Sequence, residues 1–373
     1  MIQNEKSVSL QIANQTLKLA TGKMAKQANG SVVLTVGNTV LLATATMSKT
    51  AKEGIDFLPL TIEYTEKMYA AGKIPGGFFK REARPSTAET LLARLIDRPL
   101  RPSFPKGFHN DIQVIINVIS HDPSVNTEPL AIIAASAAIS VSDIPFNGPV
   151  GAVVVGYIDG EYIFNPTLEQ LEKSSLHLVV AGSKDAILMV EAGANELSEE
   201  VIIDAILQGH EVIKQTIEVQ ESLCKEFSKE KATVPGPDEN YASYKEKITS
   251  FLGSKIEEAL TKNLSKKDVE NFLSELGQSI QTEFVEADPD NEALILKVFN
   301  ELKKDQIRSV IISKKIRVDG RNPNEVRPLS IESGVLPSVH GSSLFTRGET
   351  QSLGTVTLGT SLDEMIIDGL EDS

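Results

Sequence analysis

Residues 30–48 read GSVVLTVGNTVLLATATMS. Two β-rich runs, SVVLTV and TVLLATATMS, flank Gly37-Asn38. A Gly/Asn pair between such runs is a two-residue turn signal, so the stretch predicts an antiparallel hairpin. Upstream, Val8, Leu10 and Ile12 alternate with polar residues, as do Leu17 and Leu19, so strands are expected from residue 7 to 48. The same text returns far downstream. With Gly37 set against Gly348, Gly30, Ser31, Thr35, Gly37, Thr39, Leu42, Thr44 and Thr46 meet Gly341, Ser342, Thr346, Gly348, Thr350, Leu353, Thr355 and Thr357 without a gap. Common residue types make some agreement a matter of chance. A duplicated module is the better reading, because both segments have the pattern of a turn between β runs.

Between the two copies the pattern changes twice. Residues 86–98 read as a helix that Ser86 and Glu89 cap and Pro99 stops. DIQVIINVIS (111–120) is a buried strand, and 128–141, rich in Ala and Ile without a polar face, is a buried helix. Strands return over 150–193, with turns at Asp159-Gly160 and Gly182–Asp185. Ser198, followed by Glu199 and Glu200, opens a long helix expected to reach about Lys231. Pro235-Gly236-Pro237 breaks it. Residues 240–308 are charged and helical in spacing (Ile248, Leu252, Ile256, Leu260), and β-type sequence resumes near Arg317. The order is β, helical, β, an α+β chain.

The 373 residues allow two or three domains, and 41% hydrophobic with 24% charged residues rules out wholesale disorder. Lys and Arg number 37 against 51 Asp and Glu, a net charge of −14. Any nucleic-acid binding must therefore come from a local basic patch. A single cysteine, Cys224, excludes an intramolecular disulfide and a cysteine-based zinc site. The polar N-terminus lacks a secretory pattern, and the longest apolar run, Leu130–Val141, is too short for a bilayer. A soluble cytoplasmic protein is expected.

The densest candidate for chemistry is GGFFKREARPSTAETLLARLIDRPLRP, residues 76–102. It holds Lys80, Arg81, Arg84, Arg94, Arg98 and Arg101, against Glu82, Glu89 and Asp97. Phe78 and Phe79 set two rings beside two cations. Rings stack on unpaired bases while cations meet phosphates, which is how single strands are gripped. Arg94 and Arg98 share a helix face and could hold one anion. The bland alternative is that the rings are core and the arginines pair with the three acids. His109, His121, His177, His210 and His340 are scattered, without metal-ligand spacing, and no phosphate-loop motif occurs.

Three stretches resemble the polynucleotide phosphorylase family. They are GGFFKREARPS with ARLIDRPLRP, KDAILMVEAGANELSEE (184–200), and RVDGRNPNEVRPLS with GVLPSVHGSSLFTRGETQSLGTVTLGT, from Arg317 to Thr360. The resemblance implies two RNase PH-like cores, of the ribosomal-protein-S5-domain-2-like fold, joined by a helical domain. The corresponding division is 1–145 and 146–235 for the first core, 236–312 for the helices, and 313–373 for the start of a second core. It implies phosphate-dependent 3′→5′ degradation of single-stranded RNA, with orthophosphate consumed and nucleoside diphosphates released, in the presence of Mg²⁺. It also implies a homotrimer, cytoplasmic, with RNA-degradation machinery as a partner. RNA contact then falls on Phe78, Phe79, Lys80, Arg81 and Arg84, and anion contact on Arg94 and Arg98. The family's usual Phe-Phe-Arg-Arg reads Phe-Phe-Lys-Arg here, which keeps charge and loses one planar fork. The family's catalytic serines and metal-binding aspartates belong to the second core, beyond the hairpin at 344–359. No catalytic or metal residue is therefore assigned in this chain. The competing expectation is a non-catalytic RNA-binding or assembly subunit that uses 76–102 alone.

Overall fold

The computed structural model describes residues 5–12, 15–52, 55, 57–75, 82, 84–234, 236, 238–262, 266–364 and 369–370. The chain divides into two compact units, 1–235 with 366–373, and 236–365.

In the first unit, β1 (Lys6–Ile12), β2 (Gln15–Thr21), β3 (Gly30–Val36) and β4 (Thr39–Met47) follow one another, then β5 (Leu60–Glu66), α1 (Thr87–Leu100), β6 (Ile112–Ser120) and α2 (Thr127–Val141). After α2 come β7 (Gly151–Ile158), β8 (Glu161–Phe164), α3 (Leu168–Lys173), β9 (Leu176–Gly182), β10 (Ile187–Ala194) and α4 (Glu199–Phe227). One sheet has the order β1-β2-β3-β4-β6-β5, antiparallel except for the parallel β5–β6 pair. The other has the order β10-β9-β7-β8 and is antiparallel throughout.

Helix α2 is the centre of this unit. It packs on β3, β4 and β6 of one sheet and on β7 and β9 of the other. Every residue from Pro129 to Val141 is buried, which is why this helix has no polar face to read. Strand β3 buries alternate residues, Gly30, Val32, Leu34 and Val36, toward it. Strand β7 is buried on both faces from Gly151 to Gly156, with α2 on one side and α4 on the other. Its sequence is accordingly a continuous apolar run.

Several boundaries depart from the sequence reading. Pro99 lies inside α1, which ends at Leu100 and tightens into a 3-10 turn, Arg101–Ser103. The ring removes one N–H but its φ suits a helix, so the last turn closes around it. Helix α4 stops at Phe227, four residues early. The segment beyond it folds back along α2, where Lys231 Nζ donates to the carbonyls of Ile139, Ser140 and Ser142. These are last-turn carbonyls without helical partners. Ser198 occupies the N-cap position of α4 without capping a backbone N–H. Strand β5 and helix α3 were not foreseen.

The second unit opens with α5 (Tyr241–Leu252), α6 (Lys255–Thr261), α7 (Lys266–Ile280) and α8 (Glu292–Lys314). Ile248, Leu252, Ile256 and Leu260 are all buried in their shared core, as their spacing predicts. Strands resume only at β11 (Leu329–Ser333), twelve residues past Arg317, because Arg317–Glu325 is spent on turns held by Arg317 and Arg321. Strands β12 (Gly341–Arg347) and β13 (Thr350–Val356) complete a sheet of order β11-β12-β13.

This sheet repeats β2-β3-β4 in register. Gly30 faces Ala45 and Val36 faces Thr39; Gly341 faces Val356 and Arg347 faces Thr350, each displaced by 311 residues. Leu17 and Leu19 face Val36 and Leu34 as Leu329 and Ile331 face Arg347 and Phe345. Gly37 and Gly348 turn both hairpins with φ of 55° and 60°, a region that favours glycine. The shared register, turn and strand order support reading the repeat as a duplication. The copies differ in cover. Leu19 and Leu34 are fully buried, whereas Ile331 and Phe345 are 69% and 39% exposed.

Candidate RNA interface

The loop Phe78–Arg81, the heart of the expected RNA grip, lies outside the described residues. What surrounds it is described. Ser86 accepts from Glu89 N while Glu89 Oε2 accepts from Ser86 N, a reciprocal capping box that fixes where α1 begins. The other carboxylate oxygen of Glu89 accepts from Glu66 N on β5, 2.8 Å away. Glu82 accepts from Met68 N and pairs with Lys67 at 3.4 Å. Asp97 holds Arg101 through two bonds, and Arg101 also donates to the carbonyls of Leu58 and Leu60.

This settles where the three acids of the basic stretch are engaged. None of them pairs with Arg84, Arg94 or Arg98. Arg101 is structural, tying α1 to the segment that enters β5. Arg84 is exposed just before α1, and Arg94 is exposed on it. Among the described residues neither is in an ion pair. Arg98 pairs with Glu191 of β10 and lies 3.5 Å from Met189 Sδ. The expected Arg94/Arg98 couple is thus uneven, with one cation exposed and unpaired and the other already facing a carboxylate.

Beyond Arg98 the structure shows a polar cluster that the sequence did not disclose. Asn126 caps α2 by accepting from Glu128 N. Glu128 Oε2 lies 2.9 Å from Nε2 of His177 on β9. His177 is held above its ordinary 6.5, first by that hydrogen bond and then by the charges of Glu128 and Glu191, with burial opposing. Glu128, His177, Glu191 and Arg98 therefore run in alternating sign from the start of α2 to α1. Nearby, Tyr64 donates to Glu66 and Thr127, and burial pushes its hydroxyl well above the usual value. A first-turn acid after Asn126 was the one readable signal. His177, the second residue of an otherwise apolar strand, gave no hint of its partner.

Cys224 is half-buried on α4. Burial pushes its thiol up, and the nearby Lys231 charge opposes without prevailing. That is the electrostatics of an inert thiol. Among the described residues no group of three or more His, Cys, Asp or Glu side chains is placed to hold a metal ion. No described helix is long and apolar enough to cross a membrane.

A profile described as 3′ exoribonuclease family, domain 1, matches residues 14–145, and its domain 2 matches 148–212. The chain belongs to the 3′ exoribonuclease family. A third profile, described as polyribonucleotide nucleotidyltransferase, RNA binding domain, matches 243–322, within the second unit. Polyribonucleotide nucleotidyltransferase of Staphylococcus carnosus is 49% identical over 99% of this chain and 53% of its own length. That of Chloroflexus aggregans is 49% identical over 98% of this chain and 49% of its own length. The chain spans about half the length of the curated relatives it matches and fits the N-terminal part of such a protein. Among solved structures, rice (Oryza sativa) Rrp46 aligns over 60% of this chain and 96% of its own, with 16% identity and a TM-score of 0.46.

Proposed function

We propose that this chain is the N-terminal part of a polyribonucleotide nucleotidyltransferase that degrades single-stranded RNA from the 3′ end with orthophosphate, releasing nucleoside diphosphates. The observation that carries the reading is near-half identity to such enzymes along virtually the whole chain, through both exoribonuclease domains and the helical unit. In phosphorolysis the bond broken and the bond formed are both phosphate linkages, so the step is close to reversible. The demands on the protein are to hold RNA and phosphate in line and to neutralise charge. The reading includes Mg²⁺, a homotrimeric assembly, contact with RNA-degradation machinery and a cytoplasmic location. It also includes the division into a first core over 1–145 and 146–235, a helical domain over 236–312 and the start of a second core from 313. It gives RNA contact to Phe78, Phe79, Lys80, Arg81 and Arg84, with Arg94 and Arg98 as anion contacts. No residue of the chain is given a catalytic role.

The loop is the sharpest test of RNA contact. Neutralising Lys80 and Arg81 together removes about two phosphate contacts. For a single strand this lowers the slope of log K against log salt by roughly 0.7 per contact. Phe79→Ala is expected to cost about 1–3 kcal/mol of binding with the slope unchanged, if a base stacks on the ring. An unchanged slope in the Lys80/Arg81 double variant, with its melting temperature intact, would remove the loop from the RNA path. A lowered melting temperature in Phe79→Ala would instead place that ring in the core.

A further inference from the structure

Helix α8 carries a line of cations on the face turned away from its core. The buried side is Ile295, Val298, Phe299, Leu302 and Val310. Diametrically opposite stand Lys297, Lys304 and Arg308, with Lys315 at the C-cap, all four exposed. The geometry follows from the helical repeat. Seven residues advance almost two whole turns and eleven advance three, so 297, 304 and 308 fall within about 20° of one line. Their spacing along the axis is about 10 Å and then about 6 Å. Lys315 extends the row past the last turn.

Among the described residues none of the four side chains takes part in an ion pair or a side-chain hydrogen bond. Neighbouring cations differ. Lys303 donates to Asn300 and lies 5.0 Å from the Phe299 ring centre, and Lys314 pairs with Glu257 at 3.2 Å. Lys255 covers the ring of Phe251. Two acids, Glu301 and Asp305, stand beside the line, and Glu301 accepts from the hydroxyl of Tyr241 at 2.6 Å. In a chain of net charge −14, four unpaired cations along one helix are a local exception of the kind that polyanion binding requires.

We propose that the Lys297–Lys304–Arg308–Lys315 face of α8 is a track for the sugar-phosphate backbone of single-stranded RNA. This rests on RNA being the substrate, as proposed above. It gives named residues to a segment, 243–322, whose profile is described only as RNA binding. The row itself is made of cations, so it grips phosphate and leaves bases unread. It is therefore indifferent to sequence and sensitive to salt. A strand laid along α8 places successive phosphates against Lys304 and Arg308, and Lys297 and Lys315 hold it further out.

The test is fluorescence-anisotropy binding of a labelled oligoadenylate RNA to the full chain across a salt series. Three proteins are compared with the parent: Lys297→Gln/Lys304→Gln/Arg308→Gln, Lys297→Arg/Lys304→Arg/Arg308→Lys, and Lys18→Gln/Lys173→Gln/Lys225→Gln. The last changes net charge equally through exposed lysines of the other unit. The first is expected to lower the slope of log K against log salt by about 2, at roughly 0.7 per lost contact. The second and third are expected to keep the parental slope. Equal losses in the first and third would show a general charge effect and overturn the track. So would loss in the charge-preserving variant, which would make the effect structural, or an unchanged slope in the first. A parent chain that binds no RNA at low salt would instead sink the RNA reading itself.

Discussion

Gly30 and Gly341 are the same residue of the repeat in different surroundings. A Cβ built on Gly30 would meet the carbonyl oxygen of Ala138 at 2.1 Å, a backbone atom of α2 that cannot swing aside. One on Gly341 would meet only Val356 Cβ at 3.7 Å, an ordinary contact. Gly30→Ala is therefore expected to destabilise the chain by about 1–3 kcal/mol or more, as overpacking of a filled interior does. Gly341→Ala should stay within about 0.5 kcal/mol of the parent, as exposed sites do. Chemical denaturation of both variants checks this, and equal losses would contradict it. The glycine pair was visible in the sequence as an identity. That the first glycine is compulsory was not, because the atom that makes it so lies more than a hundred residues away.

At the scale of elements, α2, β9, β10 and α1 are joined by side chains of alternating charge. His177 is raised above its ordinary 6.5 because Glu128 accepts from it and Glu191 lies near. A group whose folded pKa is raised lends stability that is complete below its unfolded value. That stability disappears as pH rises through the folded value. The link between the start of α2 and β9 is thus expected to weaken as pH rises above 6.5 and through the raised folded value. In Glu128→Gln the NMR titration midpoint of His177 should fall toward 6.5 or below, and the pH dependence of melting across that range should flatten. A midpoint unmoved by Glu128→Gln would assign the shift to another group. Local elements were largely legible. The hairpin at Gly37-Asn38, the capped start of α1, the apolar α2 and the helical spacing from Ile248 all follow from periodicity and caps. Strand β5 was missed although Leu60, Ile62 and Tyr64 alternate with polar residues; only its parallel pairing with β6, across a long crossover, leaves no local pattern. Nor were the partners of Arg98 and Arg101 legible, since ion pairs between elements depend on how those elements pack.

At the scale of the molecule, the chain is one exoribonuclease core, a helical unit and a repeat of the core's β2-β3-β4 sheet. The first copy buries its apolar face under α2; the corresponding positions of the second, Leu329, Ile331, Phe345 and Val356, are exposed. The described residues gather cations but no metal-holding group. On the proposed reading, this chain handles RNA and the bond-breaking groups lie outside it. Release of ADP from poly(A) by the purified 373-residue chain, with orthophosphate and Mg²⁺ supplied, tests that division most directly. The account predicts that the chain binds the RNA in a salt-dependent way and releases no ADP above background. Robust ADP release that requires phosphate would contradict it and place the chemistry in the first core.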